Sequence, residues 1–377
     1  MKIVMLTSYY DPHISGLTLY FQRLAEEYVK LGHDVTVLTA QHDKKLLIKE
    51  LINDVKVIRS PYLFRINKGM FLHRILLDSW KPIRNSDIVH LNLPSIEALP
   101  VIILARVLRK PVISTYVCDI TLPEFMGSGL LDKIIDLNHY ITLKLSHTIA
   151  SFTLDFAKNS RLLKRFSDRC KEVYPIVKLS KAEKINIPEL EQSSHPRIGM
   201  ATRIATDKGI EYMFDAFKIV LTKFPKARLF IAGTINAVGE EQYLAKLMPL
   251  INDFGDKVTL LGQLSPGQMP NFFKKLDLLV VASINSTEAF GMVQLEAMLE
   301  GTPVVATDLP GVRVPIQISE MGHIAKIANS KDLAEKIIKT LTDKPKNNTS
   351  KLLELFDTDK LVKKYLDLYE ETIDSNN

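Results

Sequence analysis

Apolar residues along the chain fall into short, near-continuous runs, separated by stretches in which they recur every three or four positions. Ile3–Thr7 is the first run, and it stops at the polar turn Ser8–Pro12. From Leu17 to Leu31 the apolar positions Phe21, Leu24, Ala25 and Tyr28 keep helical spacing, and Gly32 follows where a helix end favours glycine. Asp34–Thr39, rich in Val and Thr, predicts a second strand. Further strands are predicted at Val55–Ile58, Ile88–Leu91, Val112–Thr115 and Thr148–Ser151, with helical segments between most of them. Such strands alternating with helices imply a parallel sheet covered on both faces.

The rhythm lapses from about Ile176 to Pro196, a stretch rich in Lys, Glu, Ser and Pro, and then restarts. Strands are predicted at Arg197–Ala201, Arg228–Ala232, Val258–Leu261, Asp277–Ala282 and Pro303–Thr307. Helices are predicted at Lys208–Phe224, Glu240–Leu250, Pro266–Lys274, Met292–Glu300, Lys331–Leu341 and Asp359–Ile373. The expected architecture is therefore α/β, with two Rossmann-like domains in series, residues 1–190 and 191–377, facing across a cleft. The last helix is a candidate to pack back on the first domain.

Length and composition agree: 377 residues, 46% hydrophobic and 24% charged, suit a two-domain globular protein and exclude disorder as the main state. Cys118 and Cys170 are the only cysteines, too few for a disulfide scaffold. The first apolar run is too short for a signal peptide, and no run reaches the length of a membrane span, so a cytoplasmic location is expected. The net charge of +6 is uneven: residues 1–197 hold 28 Lys/Arg against 20 Asp/Glu, and residues 198–377 hold 21 against 23. That basic excess predicts peripheral contact of the first domain with an anionic membrane face, through Tyr62–Leu77 and Phe156–Lys171, where cations mix with apolar side chains. The alternative is that those apolar side chains are core and the cations snorkel to water. Nucleic acid is not expected as a partner, because the nine Lys/Arg of Lys158–Lys184 are interleaved with Leu, Phe and acids and accompany no recognition motif.

Three stretches carry candidate chemistry. The turn Ser8–Gly16 lacks the three glycines of a dinucleotide fingerprint, but Gly16 precedes a helix start, where backbone N–H groups can meet an anion. Arg203 and Lys208 follow a strand end and precede a helix, so a guanidinium and an ammonium share one sheet edge, able to hold a diphosphate and to stabilise it as a leaving group. In STEAFGMVQLEAM, Glu288 precedes a glycine turn and Glu296 lies in the following helix. Each has a bland alternative: a loop glycine, surface charge beside a turn, and an acid facing water or a lysine. His90 ends a strand and either reaches the cleft or is a structural histidine. His33 follows Gly32 and suits a cap or surface role.

Taken together, SYYDPHISG, Gly32–His33, DIVH at 87–90, R-x4-K-G at Arg203–Gly209 and E-x7-E at Glu288–Glu296, followed by GTPVVATDLPG, resemble the retaining glycosyltransferases of family 4 with the GT-B fold, over nearly the whole chain. The resemblance implies transfer of a hexose from a UDP- or GDP-linked sugar to a hydroxyl acceptor, a lipid or a glycan, without an essential metal or cofactor. It implies that Glu296 binds the donor ribose, that Glu288 meets the transferred sugar, and that Arg203 and Lys208 grip the diphosphate. Gly16 and the turn Phe290, Gly291 and Met292 would meet the sugar and phosphates with their backbone, and His13 would see the acceptor. Two positions depart from the family pattern. Ser15–Gly16 replaces a glycine pair, and Val117 stands where a histidine commonly touches the donor. Either a neighbour such as Asp119 or His139 substitutes, or the histidine is dispensable, or activity is reduced; Asp119 better suits holding an acceptor hydroxyl. Otherwise the chain is a weak or inactive nucleotide-sugar-binding subunit of a transferase complex.

Overall fold

The computed structural model describes residues 1–13, 15–66, 69–120, 128–177 and 187–376, and the chain divides into two units, Met1–Ile176 with Phe356–Asn377, and Val177–Leu355. The strands of the first unit are β1 (Lys2–Leu6), β2 (Asp34–Ala40), β3 (Lys49–Ile52), β4 (Val55–Ser60), β5 (Phe64–Ile66), β6 (Gly69–Phe71), β7 (Ile88–Leu93), β8 (Val112–Tyr116), β9 (Thr148–Ser151) and β10 (Cys170–Glu172). Eight of them form one sheet in the order β10-β9-β8-β7-β1-β2-β4-β3, parallel except for β3, which caps the edge antiparallel to β4. β5 and β6 form a separate hairpin. The strand order turns around between β7 and β1, so the loops after those strands open at a switch point.

The second unit holds β11 (Arg197–Ala201), β12 (Arg228–Ala232), β13 (Val258–Gly262), β14 (Leu278–Val281), β15 (Val304–Thr307) and β16 (Gly322–Ala325), all parallel, in the order β13-β12-β11-β14-β15-β16. Its core joins Ile198 and Met200 of β11 to Phe214 and Phe217 of the helix Ile210–Lys223 and to Leu333 and Ile337 of the helix Ser330–Asp343. The switch point here lies between β11 and β14.

Three expectations change, while the last helix falls in the first unit, as its candidacy there had it. The first unit ends at Ile176 rather than near residue 190, because its sheet closes with β10 at Glu172; residues 178–186 of the expected linker lie outside the described residues. The C-terminal helix Thr358–Asp374 belongs to the first unit and buries Tyr365 and Tyr369 there. The helix expected from Lys208 begins at Ile210, because Gly209 takes a left-handed φ of 61° and ends the short 3-10 turn Thr206–Lys208. Of the two segments expected to meet a membrane, Phe156–Lys171 is core: Phe156, Leu162, Leu163 and Phe166 are buried. Tyr62–Leu77 begins as the hairpin, and only Ile75–Arg84 is helical.

Candidate active site

At the switch point of the second unit, the loop after β11 lies against the loop after β14. The backbone dictates the approach. A Cβ on Gly209 would stand 2.3 Å from the carbonyl oxygen of Ala282, and the Ile284 N–H donates to the Asp207 carbonyl at 3.0 Å. Only glycine meets both the left-handed φ and that contact.

This approach joins the two sequence motifs through Lys208. Its Nζ donates to Glu288 Oε2 at 2.9 Å and lies 3.0 Å from Asp207 Oδ2. Asp207 also accepts from Arg203 Nη2 at 2.8 Å and from Thr287 Oγ1 at 3.2 Å. Burial would push the Lys208 ammonium down, but the charges of Glu288 and Asp207 outweigh it and hold its pKa above the ordinary lysine value. Burial would likewise push Asp207 up, but Lys208 and Arg203 hold it below the ordinary carboxylate value. Both stay charged at neutral pH. Asp207, which the sequence analysis passed over, is thus the group that orients both cations; its position inside R-x3-D-K was the available signal.

Glu288 spans the two loops. While Oε2 takes the ammonium, Oε1 accepts the Gly291 N–H at 2.9 Å. Gly291, at φ 70°, opens the helix Met292–Leu299, whose first turn carries no acidic side chain. That helix end keeps its positive dipole end for an anion. Gln294, fully buried and also missed, fixes the turn: Nε2 donates to the carbonyls of Phe290 at 2.5 Å and Val312 at 2.8 Å. Phe290 and Gly291 are buried, and Met292 and Glu296 half-buried on the same helix. Lys208, Glu288, Thr202, Ser283 and Val293 line a small cavity against β11 and β14. The structure thus brings together Arg203, Lys208, Glu288 and the Phe290–Met292 turn. Among the described residues, no group of three or more His, Cys, Asp or Glu side chains is arranged to hold a metal.

In the first unit, Gly16 is the exposed first residue of the helix Gly16–Lys30, with Ser15 Oγ accepting the Thr18 N–H at 3.2 Å. No acid stands in its first turn either. His13 is half-buried beside Tyr9, ring centroids 4.3 Å apart. Glu97, another residue sequence reasoning missed, is buried at this sheet edge, accepting from Ser8 Oγ at 3.2 Å and Ser95 Oγ at 2.7 Å. Burial raises its pKa.

The roles expected of Asp119 and His139 fail here, and His90 takes the structural one of its two readings. Asp119 is 2% exposed, and its carboxylate is taken by protein donors: Tyr116 Oη at 3.0 Å, Ser160 Oγ at 2.6 Å and the Arg161 N–H at 3.0 Å. It ties the end of β8 to the helix Leu154–Asn159 and has no room for an acceptor hydroxyl. His139 is 1% exposed and accepts the Ser95 N–H at 3.1 Å, with burial pushing its pKa down to about 4. His90 is the structural histidine: fully buried, it bonds Tyr369 Oη at 2.6 Å and Thr115 Oγ1 at 2.8 Å. Val117 is buried just beyond β8, its N–H donating to the Leu93 carbonyl at 2.9 Å.

The chain is similar to known proteins. Residues 14–119 match the model of glycosyltransferase family 4, and residues 182–351 match that of glycosyl transferases group 1. The chain belongs to the family 4 glycosyltransferases. It is 26% identical to the alpha-monoglucosyldiacylglycerol synthase of Streptococcus pneumoniae, an alignment covering 100% of this chain and 87% of that one. It is 25% identical to the phosphatidyl-myo-inositol mannosyltransferase of Mycobacterium leprae, over 90% of this chain and 87% of that one. Among solved structures, sucrose-phosphate synthase of Thermosynechococcus elongatus superposes with a TM-score of 0.76 at 18% identity, over 99% of each chain. HepE of Anabaena, solved with UDP, superposes with a TM-score of 0.75 at 18% identity, over 98% of this chain and 100% of that one. These likenesses give this glycosyltransferase the GT-B fold. The group 1 match contains both halves of the site, the Arg203–Gly209 and the Glu288–Glu296 segments.

Proposed function

We propose that this glycosyltransferase moves a hexose from a UDP- or GDP-linked sugar to a hydroxyl of a membrane glycerolipid, with retention of anomeric configuration. The observation that carries the reading is the Lys208 ammonium, held between Asp207 and Glu288 at the switch point, beside the opened end of Met292–Leu299. In the free protein its charge is balanced by carboxylates. A donor diphosphate supplies the competing anion, and its charge rises as the sugar–oxygen bond breaks. Lys208, Arg203 and the helix N–H groups stabilise that departing charge. Glu296 receives the ribose hydroxyls, and Glu288 meets hydroxyls of the sugar. The acceptor oxygen attacks on the face the diphosphate leaves, and its proton passes to the departing phosphate oxygen. No carboxylate nucleophile is required. The lipid acceptor is supported by the two relatives named above, whose names give a glucosylated diacylglycerol as product and a phosphatidylinositol as the mannosylated lipid.

A donor panel tests this: release of free nucleotide is followed with each UDP- and GDP-sugar, in the presence of detergent-dispersed diacylglycerol, phosphatidylinositol or a soluble glycan, and the anomeric configuration of the product is read by NMR. Nucleotide release that depends on a lipid acceptor supports the proposal. Turnover on the soluble glycan alone would refute the lipid part. Val117 favours a second reading, an apolar residue without a donor where a histidine commonly stands, namely a nucleotide-sugar-binding subunit. Tight binding of a nucleoside diphosphate with no turnover on any acceptor would select it.

A further inference from the structure

Between Leu63 and Trp80 the first unit turns six of its apolar side chains outward. The hairpin buries one face, through Met70, and Leu72 just beyond it is buried too; on the other face Phe64 and Phe71 stack at 5.1 Å between ring centroids, 49% and 51% exposed. Leu63, 66% exposed, closes the hairpin base by donating its N–H to the Phe71 carbonyl. The helix Ile75–Arg84 repeats the inversion. Ile75, Ser79 and Ile83 are buried, whereas Leu76, Leu77 and Trp80 are 48%, 75% and 46% exposed. Ser60 Oγ, at the end of β4, donates to Asp78 Oδ2 of the helix at 2.7 Å and ties it to the sheet. Single exposed apolar residues are ordinary, but six within eighteen positions, each opposite a buried face, are not.

Charge selects what covers them. From Ser60 to Arg84 the sequence holds Arg65, Lys68, Arg74, Lys81 and Arg84 against the single acid Asp78. Asp78 is itself engaged, by Ser60 and by Arg74 at 3.6 Å. Lys81 and Arg84 are exposed at the end of the same helix. Aromatic and aliphatic side chains flanked by cations suit the headgroup region of an anionic bilayer, where the rings enter the acyl boundary and the cations meet lipid phosphates. A protein partner of ordinary surface composition would not call for so one-sided a charge.

We infer that the paired strands Phe64–Ile66 and Gly69–Phe71 and the helix Ile75–Arg84 form a docking surface for an anionic lipid bilayer. The inference deepens the lipid-acceptor reading, since it brings the enzyme to the interface in which such an acceptor lies. It also supplies its own probe: Trp80, on the outward face, is the only tryptophan of the chain. Its emission reports the surface without labelling.

The full chain is titrated with phosphatidylglycerol/phosphatidylcholine vesicles and with phosphatidylcholine vesicles, neither containing diacylglycerol or donor. The expected result is a blue shift of Trp80 emission and protection from iodide on anionic vesicles, weaker at high salt and much smaller on neutral ones. L76S/L77S, whose side chains are exposed and whose thermal midpoint should hold, lowers partitioning at least about tenfold. K81Q and R84Q each lower it about fivefold on anionic vesicles only. An unshifted, iodide-accessible Trp80 at low salt overturns the inference, as does undiminished binding of L76S/L77S. Concentration-dependent dimerisation abolished by L76S/L77S, without vesicle binding, also overturns it and assigns the face to a second copy. Docking without glycosylation of any lipid leaves this surface standing and refutes the acceptor reading. Transfer to a detergent-dispersed lipid without docking does the reverse.

Discussion

Replacing Lys208 by methionine separates the two parts that the ammonium plays. The side chain is 14% exposed and its carboxylate partners, Glu288 and Asp207, 22% and 12% exposed, so all three charges are largely removed from water. Methionine keeps the stem and deletes the charge. Asp207 retains the Arg203 guanidinium at 2.8 Å, but among the described residues Glu288 keeps only the Gly291 N–H at 2.9 Å. Breaking a buried pair by removing one partner costs about 3–5 kcal/mol, and the partial exposure of Glu288 brings the expectation to about 2–3 kcal/mol. In a unit of this size that lowers the thermal midpoint by roughly 4–12 °C. Catalysis falls for a different reason. A cation aimed at charge that develops only in the transition state is worth roughly two to three orders of magnitude in kcat.

The second substitution tells these losses apart. Glu288→Gln in the Lys208→Met background removes the orphaned carboxylate, so most of the lost midpoint should return while turnover stays low. The assays are differential scanning calorimetry and nucleotide release per folded molecule, with saturating donor. If K208M turns over normally per folded molecule, the leaving-group role is wrong and the pairing is structural alone. If the midpoint of K208M is unchanged, the desolvation of the ammonium cancels its ion pairs, and the stability argument fails.

Glu296→Ala should weaken binding of the matching nucleoside diphosphate about ten- to a hundredfold, the loss of charge-assisted hydrogen bonds to the ribose; an unchanged calorimetric Kd in the folded variant refutes that role. Gly209→Ala forces a methyl into the 2.3 Å gap before the Ala282 carbonyl at φ 61°, so the two loops must part, lowering the midpoint and donor affinity together; a wild-type midpoint would contradict the described approach. His90 and His139 are kept neutral by burial, their pKa values depressed to about 3 and about 4, so the stability they contribute is full above the ordinary value near 6.5 and is lost as pH falls toward those values. Urea midpoints should therefore decline below about pH 6.5, at up to ~1.4 kcal/mol per pH unit for each histidine, and a flat profile down to pH 4 would refute the burial argument.

The strands were legible because each is a short apolar run, and in a parallel sheet covered on both faces such runs need no alternation. Arg203, Lys208, Glu288 and Glu296 were legible as spacing. What spacing could not supply is strand order: that β11 and β14 are neighbours, and hence that Lys208 and Glu288 share a hydrogen bond, follows from hydrogen bonding between distant segments. Asp207 and Gln294 were passed over for a related reason, since their partners are backbone and side-chain groups of other loops. The outward segment was read as one amphipathic stretch, but Phe64 and Phe71 owe their shared face to cross-strand pairing and Leu76, Leu77 and Trp80 theirs to a helix. One run of apolar and basic residues contained two periods.

The failure at Asp119 narrows what the first unit can contribute. With three protein donors on its carboxylate, and with His139 and His90 buried and neutral, the residues singled out around β7 and β8 supply no free acid or base. What this unit offers is backbone at the exposed start of Gly16–Lys30 and the rings of Tyr9 and His13. The charged candidates, Arg203, Lys208, Asp207 and Glu288, are all in the second unit. That asymmetry suits a reaction limited by departure of a diphosphate. Such an acceptor needs a position and a dry approach rather than a strong base, because the leaving phosphate can take its proton. The buried valine at 117 is compatible with that demand, since its side chain brings neither a hydrogen-bond donor nor a proton.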